Sequence, residues 1–570
     1  MKNLTKLFVL LLAAVLVSSC SSLDKMKKNS NLVKYEVTPK VLETHAGIIA
    51  AQVKAIYPEK YFDKNTTLKI TPVLVFESGE VVFDELLYAQ GELVQGNNKP
   101  VSKLGGTISW SGDVAYNPEM KVSEFMLRIE ASKKGKTLAF DPIKLADGVI
   151  ATSTLVEDHP MPIAIKDNYQ RIVPEQKVAD ILYKINRSDI QASELKAEDI
   201  KALKDYIDLV GQNERMDFKG LTVSSYASPD GPLTLNEKLS GQRGQNADKY
   251  INKEFAKAPV LADKSLVTSK TTAEDWDGFK ALVQESNVQD KDLILRVLSM
   301  YQDPVVREKE IKNMSAAYET LTEEILPMLR RSKFIVDVNL IGLSDDEILA
   351  AMKGDASALS LEQMLYAGSL ATNVDDMLKF YQMAAEKEPK CYRAWNDVGY
   401  SYLAMGKADE GMVALEKAKA LKNDDVVKNN MGFAALLTGD IKEASEYFNS
   451  MSASTPQSRF GLGTIAIHEG KYDQAVNLLG DSPSMNLALA QLLKGDLNKA
   501  QTTMDSVKPC KCGAPSYLKA VIGARLDNRD VMLNGLREAV GYNADWMNYA
   551  KTDLEFSKYF KDETFMSIVK

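Results

Sequence analysis

The stretch that decides the fold is residues 221–250, LTVSSYASPDGPLTLNEKLSGQRGQNADKY. Residues 221–227 predict a β-strand, and Pro229-Asp230-Gly231 predicts a tight turn, because Pro presets φ and Gly tolerates the left-handed region. A helix follows, and residues on it at spacings of three and four share one face. Those residues are Asn236, Leu239, Ser240 and Arg243. A strand, a polar loop and an Arg-bearing helix together predict a pocket for a carboxylate.

Gly231, Asn236, Leu239-Ser240 and Arg243 resemble the core motif of the OmpA-like peptidoglycan-binding domain. The resemblance implies an α/β fold that holds the diaminopimelate of the cell-wall peptide between this Arg and an Asp three residues before the Gly. Ser228 stands at that Asp position, and Asp230 comes two residues later. Two interpretations stay open: the pocket binds peptidoglycan, or the domain keeps its scaffold and has lost or changed its ligand. The candidate peptidoglycan-binding residues are Ser228, Asp230, Asn236 and Arg243.

We predict that this α/β OmpA-like domain spans residues 177–345. It opens with a strand at 177–183 and continues with a helix from Ser193. A mostly helical insertion, at about 256–329, precedes the closing strand at 334–340. The buried stripe of the first helix is predicted at Ile200, Leu203, Ile207 and Val210.

Length and composition indicate a multidomain protein with ordinary soluble-protein chemistry. The chain has 570 residues, a net charge of −8 and no basic excess, which argues against nucleic-acid binding. It has three His and no nucleophile–base, metal-ligand or phosphate-loop motif, so we expect no enzyme activity, no metal and no cofactor. The four Cys do not form a disulfide framework. Cys510 and Cys512 are too close in sequence for an unstrained disulfide, so we expect none between them.

The N-terminus reads as a bacterial lipoprotein signal peptide over residues 1–19, because Lys2 and Lys6 precede a short apolar run. Val17-Ser18-Ser19-Cys20 resembles a lipobox, which implies lipidation of Cys20; an ordinary signal peptide with a chance Cys is the alternative. Residues 20–34 are predicted to be the lipidated Cys and a flexible tether. The expected location is the outer membrane, lipid-anchored, with a periplasmic-facing body favoured over a surface-exposed one.

Residues 35–156 alternate in strand fashion between Gly-rich turns, which predicts an all-β sandwich-like module. Its single His45 is expected to be a surface or capping residue. Residues 157–176, EDHPMPIAIKDNYQRIVPEQ, contain three prolines and are predicted to be a linker.

The last third is repetitive. Trp395, Gly399, Tyr402, Gly411 and Ala418 match tetratricopeptide positions in order, and further copies follow with Gly-Lys or Gly-Asp turns between paired helices. This pattern resembles the tetratricopeptide-repeat family and predicts an all-α solenoid over residues 355–545, with a C-terminal helical tail at 546–570. Small residues are expected where two helices approach closely.

Such arrays bind protein partners, and the resemblance places candidate partner-binding residues on the first helices of the repeats. They are Asn396, Asn429 and Asn430, for which solvated polar positions are the alternative. The combination resembles Bacteroidota envelope lipoproteins. We therefore expect a non-catalytic outer-membrane scaffold that binds proteins through its repeats and, if the pocket works, peptidoglycan. The alternatives are an accessory subunit of an outer-membrane assembly or secretion complex without glycan binding, and a surface-exposed adhesin.

Overall fold

The computed structural model describes residues 22–83, 87–256, 258–288, 290–480 and 482–570. The predicted signal peptide and Cys20 lie outside the described residues. The chain divides into two compact units, which we call the repeat unit (Met1–Lys166 with Ala371–Lys570) and the α/β unit (Asp167–Leu370). The strand-rich N-terminal region and the repeats, expected as separate domains, therefore share one unit.

The N-terminal region of the repeat unit contains two mostly antiparallel sheets around one apolar core. Alternating burial along the strands, such as that of Ile48–Tyr57, turns every second side chain into that core. The first sheet contains Lys34–Thr38, Leu42–His45, Ile48–Tyr57, Gly106–Ala115 and Val149–Ile150. The second contains Thr67–Phe76, Gly79–Val82, Leu87–Gln90, Lys99–Pro100, Ser123–Lys133, Lys136–Ala139 and Ile143–Asp147.

The flexible tether predicted for residues 20–34 is wrong over most of its described part. Residues 22–28 are helical, and Leu23, Met26 and Val33 are buried in the core of the N-terminal region. The Met26 carbonyl accepts a hydrogen bond from the Tyr61 hydroxyl at 3.3 Å. The polar residues of this stretch suggested a solvated chain, but its spaced apolar side chains are enough to attach it to the sheets.

The C-terminal part of the repeat unit is built from helical hairpins. In the first four pairs the helices are joined by a short turn in which Gly406, Gly439, Gly470 or Gly495 adopts a positive φ, and in the fifth pair Asp527 does so. After Val374–Lys387, the paired helices are Tyr392–Ala404 with Ala408–Leu421, Asp425–Leu437 with Ile441–Asn449, Pro456–His468 with Tyr472–Leu479, Met485–Lys494 with Leu497–Ser506, and Ala514–Arg525 with Arg529–Tyr542. Asp545–Lys551 and Glu563–Ile568 follow.

Glycines at one recurring helical position explain how closely the paired helices pack. A Cβ on Gly399 would lie 2.6 Å from Leu415 Cγ, and one on Gly432 would lie 2.7 Å from the Phe448 ring. A Cβ on Gly463 would lie 2.5 Å from Leu479 Cγ. No real Cβ tolerates such distances, so the small residue of one helix admits the large residue of its partner, as the repeat pattern predicts.

The α/β unit contains a four-stranded sheet in the order Ile172–Leu182, Arg331–Ile341, Met216–Tyr226 and Val267–Thr272. The first three strands are antiparallel, and the fourth runs parallel to Met216–Tyr226. The prediction of a helical insertion is therefore wrong at Val267–Thr272. That strand, VTSKTT, is mostly exposed and lacks an apolar pattern, so only its pairing with residues 221–226 identifies it.

The helices Glu198–Gln212 and Leu233–Glu254 pack against this sheet, and further helices form the remainder of the α/β unit. Glu198–Gln212 buries Ile200, Leu203, Ile207 and Val210, the predicted stripe. The other helices are Leu233–Glu254, Trp276–Glu285, Lys291–Met300, Pro304–Lys312, Ser315–Thr320, Leu321–Ile325, Leu326–Leu329, Asp345–Lys353 and Leu361–Leu370. Within the described ranges, no helix combines the length and the apolarity that crossing a membrane requires.

Candidate functional site

All four residues predicted to bind peptidoglycan line one cavity of the α/β unit, with a volume of about 220 Å³. The strand Met216–Tyr226 leads to Ser228 and Asp230, and the helix Leu233–Glu254 presents Asn236 and Arg243. Arg330, at the start of the closing strand, lines the same cavity. We call this space the carboxylate cavity.

Arg243 lies almost entirely out of water, with 1% of its surface exposed. Its Nη1 donates to the Tyr226 carbonyl at 2.8 Å, while Nε and Nη2 donate to the Arg187 carbonyl at 3.1 and 3.0 Å. Burial lowers the pKa of the guanidinium to about 10, which still leaves it charged at neutral pH. Arg243 therefore holds the backbone around the cavity in place and contributes a fixed positive charge.

The loop between strand and helix is held by a second arginine. Arg330 Nε donates to Ser228 Oγ at 3.1 Å, and Arg330 Nη2 donates to Asp230 Oδ2 at 3.1 Å. Ser228 Oγ also donates to Asp230. Asn236 Nδ2 donates to the Gly231 carbonyl at 2.9 Å and so closes the turn onto the helix. The predicted Asn236 is thus a turn-holding residue whose side chain borders the cavity.

The charges around the carboxylate cavity favour an anion. Two guanidinium groups, those of Arg243 and Arg330, face it together with the single carboxylate of Asp230. The helix Leu233–Glu254 also begins at the cavity, and the N-terminus of a helix carries a partial positive charge. Ser228 carries no charge, which leaves this balance positive.

Residues 157–166, which we call the inner segment, run across the first helices of the repeats. Asn430 Oδ1 accepts from the Ile163 N–H at 2.7 Å, and its Nδ2 donates to the Ile163 carbonyl at 2.8 Å. Asn486 binds both main-chain groups of Glu157 in the same way, at 2.9 and 2.8 Å. Each of these two amide side chains therefore hydrogen-bonds to the N–H and the C=O of one residue. The contacts recognise the main chain of the segment and not its side chains.

Further polar side chains extend these contacts into a continuous row, which we call the asparagine ladder. Asn396 Nδ2 donates to the Ile163 carbonyl at 3.1 Å, and Asp397 Oδ1 accepts from the Ile165 N–H at 2.7 Å. Asn429 Nδ2 donates to the Met161 carbonyl at 3.3 Å. Asn396 and Asn430, which lie 34 residues apart, also bond to each other at 3.0 Å. The ladder comprises Asn396, Asp397, Asn429, Asn430 and Asn486, each no more than 1% exposed.

Sequence reasoning selected part of the ladder but not its partner. Asn396, Asn429 and Asn430 are buried, and they contact an extended segment of the same chain; their contact with a separate protein stays a prediction. Asp397 and Asn486 were missed, since the 34-residue spacing that relates Asn396 to Asn430 reaches neither of them. Residues 157–166, predicted to be a linker, are instead the occupant of the groove that the ladder lines.

A polar cluster joins the N-terminal sheets to the last helices of the repeat unit. Arg525 contacts Glu43 at 2.5 Å and Glu555 at 2.6 Å, and Glu555 is nearly fully buried. Lys121 Nζ donates to the Tyr549 carbonyl at 2.7 Å and lies 3.0 Å from the centre of its ring. Burial lowers the pKa of the Lys121 ammonium to about 8, although Asp553 acts in the opposite direction. These contacts connect the strand-rich region to the repeats within one unit.

Two of the three His also lie at contacts inside the repeat unit. His45 Nδ1 is 2.7 Å from the Tyr472 hydroxyl, while its side chain stays about half exposed, in keeping with the expected surface position. His468 Nε2 is 2.7 Å from Asp158 Oδ1 in the inner segment. Cys510 and Cys512 form a disulfide, contrary to expectation. In the part of the chain that the structure describes, no group of three or more His, Cys, Asp or Glu is arranged to hold a metal ion.

Comparison with known proteins supports the prediction of tetratricopeptide repeats. Residues 392–425 match the family model described as tetratricopeptide repeat, which confirms that part of the prediction. No curated protein matches the chain. The OmpA-like resemblance of the α/β unit stays a prediction.

Among solved structures, a tetratricopeptide repeat protein from Parabacteroides merdae is 13% identical, with a TM-score of 0.30 over 37% of this chain and 91% of that chain. YrrB, described as a tetratricopeptide protein with an unusual peptide-binding site, is 18% identical, with a TM-score of 0.20 over 38% and 100%. PilW, described as a type IV pilus biogenesis factor, is 13% identical, with a TM-score of 0.28 over 38% and 100%.

Proposed function

We propose that this protein is a non-catalytic scaffold of the bacterial envelope, anchored to the outer membrane by a lipid on Cys20 and facing the periplasm. Its repeats bind protein partners, and its α/β unit binds the diaminopimelate carboxylate of peptidoglycan. The observation that carries the second role is the positive balance of the carboxylate cavity, in which Arg243 and Arg330 outnumber Asp230. Guanidinium groups bind carboxylates through strong charge-assisted hydrogen bonds.

The cavity also suits its ligand in size and in rigidity. A volume of about 220 Å³ accommodates the end of an amino-acid side chain with its carboxylate, and Arg243 needs no rearrangement because two backbone carbonyls already fix it. A fixed cation loses little conformational freedom on binding. Asp230 can accept from the ammonium group that accompanies the carboxylate in an amino acid, so the cavity offers both charges of such a ligand.

The test measures cosedimentation of the soluble chain from Ser21 with purified peptidoglycan that contains diaminopimelate. Ile185 lines the cavity but is 58% exposed, so Ile185→Glu adds a negative charge at the rim without opening the core. We expect Ile185→Glu to weaken binding about tenfold or more through charge repulsion, while the matched neutral variant Ile185→Gln binds as the parent chain does. Free diaminopimelate should compete.

Equal binding by the Glu and Gln variants would overturn the carboxylate role. A complete lack of binding by the parent chain would favour a second candidate, a scaffold subunit of an outer-membrane assembly without glycan binding. One observation favours that candidate: three N–H groups of Arg243 already bond to the backbone, and Asp230 already pairs with Arg330. In that case the partner-binding repeats would account for the function alone.

A further inference from the structure

The inner segment is an imperfect occupant of the groove that the asparagine ladder lines. Asn430 and Asn486 each use both their oxygen and their nitrogen on one residue of the segment. Asn429 uses only its nitrogen, since its Oδ1 is buried and lacks a hydrogen-bond partner among the described residues. Burying an amide oxygen without a donor is unfavourable, so this half-made contact is a defect of fit.

The reason for this defect is local to the segment. Pro160 and Pro162 flank Met161, whose carbonyl bonds to Asn429. Proline fixes its own φ and restricts the residue before it, so the Met161 backbone has little freedom to bring its N–H onto Asn429 Oδ1. At Ile163, which has a proline on one side only, both main-chain groups do meet one amide.

The segment also leaves space on both sides of Met161. A cavity of about 1120 Å³ lies against residues 157–162 and is bordered by Leu403, Leu437 and Phe460. A second cavity of about 210 Å³ is bordered by Met161, Phe460 and Leu479. Met161 itself is 39% exposed, so no side chain at this point of the segment is anchored in the groove. Protein interiors pack closely, and a groove of this size fits larger apolar side chains than those present.

We propose that the inner segment is a displaceable placeholder and that the groove takes an extended partner peptide with a large apolar side chain at the position of Met161 and no proline beside it. This proposal rests on the partner-binding role of the repeats stated above and adds the class of peptide. The ladder binds the N–H and C=O groups that every extended peptide offers, and the cavities beside Met161 select the side chain. The segment competes because it is tethered, which gives it an effective concentration in the millimolar range.

The test uses labelled synthetic peptides and the soluble chain from Ser21. The first peptide has the sequence of residues 157–166, and the second carries Ala at the two proline positions and Phe in place of Met161. The peptides are titrated against two proteins, the parent chain and its variant Ile163→Pro. The substitution removes the N–H that donates a hydrogen bond to Asn430 Oδ1, so it weakens binding of the tethered inner segment. We expect both peptides to bind Ile163→Pro about tenfold more tightly than the parent chain, and the second peptide to bind more tightly than the first.

The matched control is Ile163→Pro combined with Asn430→Asp, which keeps the size of the side chain but removes the donor to the peptide carbonyl. This control should lose about tenfold in affinity for both peptides. Equal affinity of the two peptides, or no loss in the control, would overturn the proposal. So would a lack of binding to Ile163→Pro when faster hydrogen exchange shows that its inner segment has been released. Peptidoglycan binding through the other unit does not depend on any of these results, so the two proposals fail separately.

Discussion

The two candidate binding sites use different kinds of buried polar group. The carboxylate cavity uses charges, with Arg243 and Arg330 held by backbone carbonyls and by Asp230. The asparagine ladder uses four neutral amides beside the single carboxyl group of Asp397, and these side chains meet the main chain of the inner segment. A buried charge selects a ligand of opposite charge, while a buried amide selects any chain that offers an N–H and a C=O. The first site therefore suits a specific small group, and the second suits an extended peptide.

Arg243→Ala tests the charged site, the carboxylate cavity. The variant leaves the Tyr226 and Arg187 carbonyls without their buried donor, so we expect a loss of about 3–5 kcal/mol in the free energy of unfolding of the α/β unit. Chemical denaturation measures the loss. Arg187→Ala is the control, because its exposed side chain can be removed while its carbonyl stays. A loss below about 1 kcal/mol in Arg243→Ala would show that the cavity does not depend on this side chain.

Asparagine side chains do not titrate, so we expect the alkaline response of the repeat unit to come from another group, Lys121. Its pKa lies near 8 in the folded chain against an ordinary value of 10.5, so the unfolded chain binds more protons between these values. Stability should therefore rise with pH from about 8 to 10.5, by up to about 3 kcal/mol. The parent chain should gain this amount relative to Lys121→Met in thermal or chemical unfolding. An identical pH dependence of the two chains would contradict the assignment.

Asn430→Asp tests the ladder itself. The carboxylate can accept from the Ile163 N–H but cannot donate to the Ile163 carbonyl or to Asn396, so we expect the repeat unit to lose about 2 kcal/mol. The Ile163 amide should also exchange its hydrogen faster. Asn449→Asp, at an exposed position, should change neither quantity measurably. Unchanged protection of Ile163 in Asn430→Asp would mean that the ladder does not hold the segment.

Glycine to alanine substitutions have the smallest expected effect on the free energy of unfolding. The sign of this effect differs between the two units. Gly241 lies in the helix Leu233–Glu254 with no atom within 4 Å of an added Cβ, so Gly241→Ala should stabilise the α/β unit by about 0.5–1 kcal/mol. Gly432→Ala in the repeats should instead destabilise, because its Cβ would lie 2.7 Å from the Phe448 ring. Thermal unfolding of both variants checks the signs; a stabilising Gly432→Ala would contradict the tight packing of that hairpin.

Local patterns were sufficient for much of the architecture. The repeat spacing predicted helical hairpins with glycine turns, and the structure shows positive φ at Gly406, Gly439, Gly470 and Gly495. The apolar stripe of Glu198–Gln212 was also read correctly. Val267–Thr272 was missed because an exposed edge strand carries no apolar alternation. The prediction of a tether at residues 20–34 was wrong because the burial of Leu23, Met26 and Val33 depends on sheets elsewhere in the chain, which the local sequence does not show.

The sequence by itself determined that Ser228, Asp230, Asn236 and Arg243 lie close together, because a short turn and a helix period bring them to one place. It also determined the repeats, because their turn glycines Gly406, Gly439, Gly470 and Gly495 recur once in each successive hairpin. Only the tertiary structure decided that Arg330, about a hundred residues later, pairs with Asp230, and that residues 157–166 occupy the asparagine ladder. Main-chain hydrogen bonds explain the second point: a segment recognised by its backbone carries no side-chain pattern that reveals where it binds.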